Sequence, residues 1–571
     1  MSTRGSSPSR GGVASLLAIG ALLSGGCSLL FEPPVTQISN RCDVDDDCTT
    51  SSVCDATAHL CVSATAPDYR VRVQITPMTD PIDGVPVPMI FDLGQLADPP
   101  TPMELVAPVQ VPVRGTARFD GTPIAAQITF ARRVVEGEGP LRGALTGSVV
   151  VRASAATGGM LDFETQLPGG STYDVYVEPQ SEFRALLPPL SATLEVPEGA
   201  GVSFAIEYRE EELIEVHGVV LDASAVPQEG LLVRLVDAYG RTLSSSASTD
   251  AVGHFTLVAP RGLTNYSFRV RGDTTRQDSS ALLPSITLDA TALLPGPDGT
   301  FTLLVPRSDR ALRFEGRVEL PATLGMNAPA PRAQLHLYSA YVMDPDTGLV
   351  GSLELDLTAD LEGRFVGYVL PGDYQVAVVP ADESVGLLVQ DLEVLENPSS
   401  TLSGQLYTLP ARSILGGTVR LVDGEPINGG RIRATGLGTA LAGDPMPAAR
   451  LNRSAMGATG AMGEFRLPLD VGVYDLVVEM PADSGYAWHV VHDFGVGGSS
   501  AALRREMLVS APYRVTGTAR FAEGTELAGA RVRVFAVEET SGRSIEIAST
   551  TCDTRGGFVA LLPSTLDDGA D

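Results

Sequence analysis

Four cysteines stand within twenty residues, in the stretch CDVDDDCTTSSVCDATAHLC. Cys42, Cys48, Cys54 and Cys61 could close two disulfides or ligate a metal. Zinc sites favour a C-x2-C knuckle, which this spacing lacks, so a small module with two disulfides is the expectation, with three pairings open. Asp43, Asp45, Asp46 and Asp47 have neither the glycine turn nor the distal glutamate of a calcium loop and read as a solvated acidic turn. None of the six histidines opens a zinc-protease motif. His489 and His492 lie three apart in an apparent strand, which aims them at opposite faces. No G-x-S-x-G elbow, phosphate loop or dinucleotide fingerprint occurs. Tyr486 and Trp488, in SGYAWHVVHDFG, are the candidate ligand contacts, because aromatic faces stack on sugar rings. The expectation is no catalytic residue, no metal and no cofactor.

Charge narrows the partners. The chain of 571 residues carries 40 basic and 69 acidic side chains, a formal charge of −29. Such a surface repels phosphate backbones, so no nucleic-acid partner is expected. Every basic residue is arginine. Without lysine there is no Schiff base, no phosphate-loop lysine and no Lys–Asn isopeptide crosslink.

The start of the chain reads as a targeting segment. Arg4 and Arg10 precede the apolar run VASLLAIGALL, too short to span a bilayer, and SGGC follows, ending at Cys27. This resembles the lipobox of bacterial lipoproteins, with small Gly25 and Gly26 in place and Leu23 one position early. The resemblance implies cleavage before Cys27 and a diacylglyceryl group on its sulfur. Ser28, rather than aspartate, favours the outer membrane by the same resemblance. The four-cysteine stretch is similar to short segments that follow lipoboxes in surface lipoproteins of Gram-negative bacteria, and an oxidising compartment suits it.

The elements that would carry any site are strands, and they repeat. A glycine closing an apolar strand recurs in VRGTARF, VHGVVL, FEGRVEL, GGTVRLV and VTGTARF, at Gly115, Gly218, Gly316, Gly417 and Gly517, with intervals of 103, 98, 101 and 100 residues. A second landmark is a G-x-F strand, a turn, then Tyr-x-apolar-x-apolar, as in GRFVGYVLPGDYQVAVVP. Period-two alternation buries one face of each strand. Units of about 100 residues with turns every 8–12 residues signal antiparallel sandwiches. The pattern resembles the carboxypeptidase regulatory-like domain, a transthyretin-like, immunoglobulin-class sandwich, and the resemblance covers the chain from about Val111 onward.

The expected architecture is all-β. A signal peptide (1–26), a tether (27–41) and the cysteine module (42–61) precede tandem sandwiches at 68–212, 213–310, 311–410, 411–511 and 512–571. Residues Tyr69 to Ala107 are assigned to the first sandwich as an extension. The fifth unit ends before its tyrosine strand, so it borrows a strand, closes differently or is cut short. A row of units touching at short junctions would make a rod of roughly 150–200 Å. The functional expectation is a non-enzymatic, lipid-anchored envelope protein acting as spacer, adhesive or binding scaffold. The alternatives are a periplasm-facing part of an envelope assembly and a carbohydrate-binding accessory protein. The partners are the membrane, through the lipid, and an unidentified protein or glycan.

Overall fold

The computed structural model describes residues 40–49, 52–78, 88–98, 101–133, 142–143, 148–153, 163–238, 240–272, 283–289, 293, 295–307, 311–321, 328–343, 350–395, 402–438, 453–481, 484–497, 503–538 and 543–569. The signal peptide and Cys27 lie outside them. Among the described residues there is no α-helix, only strands and three short 3-10 turns.

The first sandwich sets the pattern. One sheet runs Ser148–Ala153, Ala126–Arg132, Ser171–Pro179, Leu190–Val196; the facing sheet runs Phe163–Pro168, Gln110–Phe119, Val202–Tyr208. Most neighbours are antiparallel, but Gln110–Phe119 and Val202–Tyr208 pair in parallel. The alternation works as expected: Tyr173, Val175 and Val177 are buried in one strand, and Val111, Val113 and Ala117 face them from the other sheet. The same two-sheet order recurs in all five sandwiches.

Register explains why the landmark glycine and the G-x-F motif recur together. Phe163, Phe255, Phe365, Phe465 and Phe558 stand opposite Gly115, Gly218, Gly316, Gly417 and Gly517. At Gly115 a Cβ would come within 2.2 Å of both the Phe163 ring and the Phe204 carbonyl. The phenylalanine lies in space that only glycine vacates. The glycine of G-x-F serves the backbone instead. Gly363 turns at φ +75°, where other residues are strained.

The fifth sandwich corrects the expected domain layout. Tyr69 to Ala107 does not extend the first unit. Arg70–Thr76 pairs antiparallel with Arg531–Val537, Met89–Gln95 pairs with Arg70–Thr76, and Met103–Ala107 lies parallel to Tyr513–Phe521. These three strands occupy the places that the tyrosine strand, its neighbour and the parallel strand hold in the other sandwiches. The physical reason is burial: Val71 to Ile75 are buried residue after residue, so both faces of this strand must be covered, and Val71, Val73 and Ile75 join the core of the fifth sandwich. The fifth unit, lacking its own tyrosine strand, offers the open edge.

Tyr69 completes the match. Its hydroxyl donates to the Pro563 carbonyl at 2.5 Å, a bond spanning 494 residues. Tyr173, Tyr374 and Tyr474 make the equivalent local bond to Pro168, Leu370 and Asp470 carbonyls. The fifth unit is therefore a whole sandwich whose last three strands precede the first unit in sequence.

Junctions are also more extensive than expected. The second and third sandwiches share one eight-stranded sheet, because Ser285–Asp289 pairs with Val350–Thr358. Arg142–Gly143, from the first unit, pairs with Arg543–Thr551 of the fifth. Ala107 is followed after two residues by the first strand of unit one, so the fifth sandwich is bonded directly to the first.

Candidate functional site

The described functional candidates converge where the fourth and fifth sandwiches meet the cysteine module. Cys42 pairs with Cys54, and Cys48 with Cys61. Three of these sulfurs cluster closely enough for a metal, but each is committed to a disulfide and offers no thiolate. The acidic turn is occupied by backbone: Asp47 accepts the amides of Asp43 and Val44, and Asp45 accepts that of Cys54 at 2.7 Å. The two amides hold the Asp47 carboxyl below its ordinary pKa. These bonds brace the knot.

The module is docked against the sandwiches. Asn40 donates its backbone amide to Ser484 and its side-chain amide to Cys61 and Gly485 carbonyls. Ser63 donates to the Pro512 carbonyl, and Arg514 pairs with Asp55 at 3.0 Å. Leu60 comes so close to Gly485 that a Cβ there would meet it at 2.7 Å.

Tyr486 and Trp488 flank this contact but serve different surroundings. Trp488 is partly buried against the core of the fifth sandwich, alongside Val477 and Val490 of the fourth. Tyr486 is half-buried, and burial, with the Asp423 charge as a lesser contribution, pushes its hydroxyl up to about 12. His489 and His492 go to separate partners: His489 lies 3.3 Å from Asp567, and His492 3.1 Å from Asp493. Among the described residues, the two histidines are not gathered with a third ligand into one metal-sized group.

Sequence reasoning missed the buried charges between these units. Asp475 is 6% exposed, 3.1 Å from Arg543, which also reaches Asp493 at 2.8 Å. Burial outweighs the arginine and raises the Asp475 carboxyl to about 6. Asp493 sits at φ 55° in a β-bulge of the His489–Val496 strand, which turns its side chain toward Arg543. Glu546 behaves oppositely. It too is buried, but Arg533 grips both its oxygens at 2.9 and 2.6 Å, and the guanidinium charges of Arg533 and Arg433 help hold it below its ordinary value. Arg533 also donates to Gln74, tying the borrowed strand into the same network. The signal for these was only their placement as charged residues inside apolar strands.

A similar lock joins the third and fourth units. Asp470, 1% exposed, meets Arg412 and Arg453 and accepts the Leu387 amide at 3.2 Å. Burial would raise its pKa, but the two guanidinia overcome this and lower it. These arrangements fasten units together; none presents a nucleophile with a base.

No family model matches the chain, and no curated protein does. Solved structures similar to it include a Streptococcal ancillary pilin, at 12% identity and TM-score 0.19, covering 52% of this chain and 99% of that one. Two B repeat units of the collagen-binding protein of Staphylococcus aureus match at 12% identity and TM-score 0.13, covering 71% and 99%. A pilus adhesin of Lactobacillus rhamnosus GG matches at 12% and 0.16, covering 68% and 56%. Scores this low carry no statement about this chain; its all-β sandwich architecture rests on its own sheets.

Proposed function

We propose that this chain is a non-enzymatic scaffold of the cell envelope, held at a membrane by a lipid on Cys27. Its sandwiches, read by sequence resemblance as carboxypeptidase regulatory-like modules, present loops and sheet faces to a protein or glycan partner. The observation that supports this most is the docking of the cysteine module. The segment just after the proposed tether is crosslinked twice and fastened by Asn40, Ser63 and Asp55 to the fourth and fifth sandwiches. Sugar binding through Tyr486 and Trp488 is the weaker reading, because Trp488 is engaged with the fifth core.

The test is fractionation of cells carrying wild type or Cys27→Ala. The wild type should partition with membranes and the variant with the soluble fraction; equal partitioning removes the lipid from the proposal. Protease shaving of intact cells then assigns the face: loss of the C-terminal units means outward display, and survival until the outer membrane is opened means a periplasmic assembly.

A further inference from the structure

On each three-stranded sheet, the residue before the landmark glycine stands at the centre of a row crossing the strands. In the first sandwich it is Arg114, opposite Glu164 and bonded to it at 2.8 Å. In the second, His217 meets Thr256 at 3.1 Å. In the third, Glu315 lies 2.8 Å from Arg313. The fourth sandwich breaks the pattern: its row reads Arg466, Gly416, Arg504.

Two guanidinia therefore flank a residue without a side chain. Packing does not require that glycine. A Cβ at 416 would meet only carbonyl oxygens at 3.8 and 3.9 Å, whereas at neighbouring Gly417 it would lie 2.0 Å from the Arg505 carbonyl. Glycine inside a strand weakens it, and one that no neighbour demands often marks close approach by something else. Both arginines are exposed, and neither side chain has a hydrogen-bond or ion-pair partner among the described residues. By contrast, Arg420 is held by the Gly424 carbonyl and Glu506, and Arg505 by the Asp568 carbonyl. The arginines and Gly416 line a concavity of about 560 Å³.

The rows on either side restrict what could sit there. Toward Thr418 stand Glu464 and Glu506; toward the other side stand Ile414 and Pro468. The glutamates and the net charge of −29 oppose a polyanion. A single carboxylate beside an apolar group fits, since an arginine fork matches a carboxylate in plane. We propose that Arg466, Gly416 and Arg504 form a docking notch for one acidic side chain of a partner peptide, with Ile414 and Pro468 receiving the apolar residue beside it. This does not depend on the lipid anchor.

Fluorescence anisotropy on the full mature chain tests it, using labelled Gly-Ser-Leu-Glu-Leu-Ser-Gly and its glutamine counterpart. The glutamate peptide should bind tighter by about tenfold, the worth of a charge-assisted bond. R466Q/R504Q should erase that preference. Gly416→Glu, which supplies its own carboxylate to both arginines, should block the peptide and raise Tm, while Gly416→Ala controls for folding. Equal binding of the two peptides, or a preference that survives R466Q/R504Q, overturns the proposal. Displacement by inorganic phosphate but not by acetate would overturn it too, by assigning the notch to phosphate.

Discussion

Asp475 shows how a single buried acid can set pH dependence at a junction. Its folded pKa, raised to about 6, exceeds that of an unfolded aspartate near 3.9. Between those values the native state holds the proton more tightly, so stability is highest below the window and falls as pH rises through it. Above 6 the loss is complete and level, on the order of 2–3 kcal/mol. Asp475→Asn cannot ionise and should gain on wild type over this range. Thermal unfolding of both proteins at pH 4 and pH 7.5 measures it; a difference that does not change with pH would show that Arg543 compensates fully for burial. Asp470 and Glu546, whose arginines win over burial, should behave in the opposite sense. The repeat pattern did not reveal which acids were buried, because strand register and not spacing puts the guanidinia beside them.

At the scale of elements, the borrowed strands carry the main lesson. The spelling Tyr69, Val71, Val73 is the same Tyr-x-apolar-x-apolar found in four other units, and it is legible as a strand. Its membership was not legible, because proximity in sequence argues for the first sandwich. A chain starting at residue 108 would leave Arg531–Val537 with an open edge, which is a liability for any sheet. The fifth unit of that chain should be cut readily by protease while the first four resist. Adding the 39–107 fragment in trans should restore resistance, by the same strand addition seen when peptides complete other sheets. A fifth unit that resists without the fragment would mean that its own strands suffice.

For the whole molecule, strand exchange between the two ends couples distant parts of the chain. The strands at 70–107 must wait for residues 513–562 before they can pair, a closure of very high sequence separation. Release of Arg70–Thr76 and opening of Arg531–Val537 are then one event. Hydrogen exchange should find a common opening free energy for the buried amides of both strands, separate from that of the first sandwich. Faster exchange in Arg70–Thr76 alone would mean that the borrowed strand comes away without unfolding its host. The expectation of units touching only at short junctions gives way at the shared eight-stranded sheet and at this closure.

The amino-acid order by itself determined the local matters: the all-β class, the repeat of about 100 residues, the tyrosine strands and the disulfide-forming module. Each follows from rules acting over a few residues, namely side-chain alternation, turn dihedrals and cysteine spacing. Tertiary structure alone decided which strands finish the fifth sandwich, which of three cysteine pairings forms, and that Arg466 and Arg504 flank Gly416. These depend on choices among edges and partners that look alike locally. Only burial and register, summed over the whole chain, separate them.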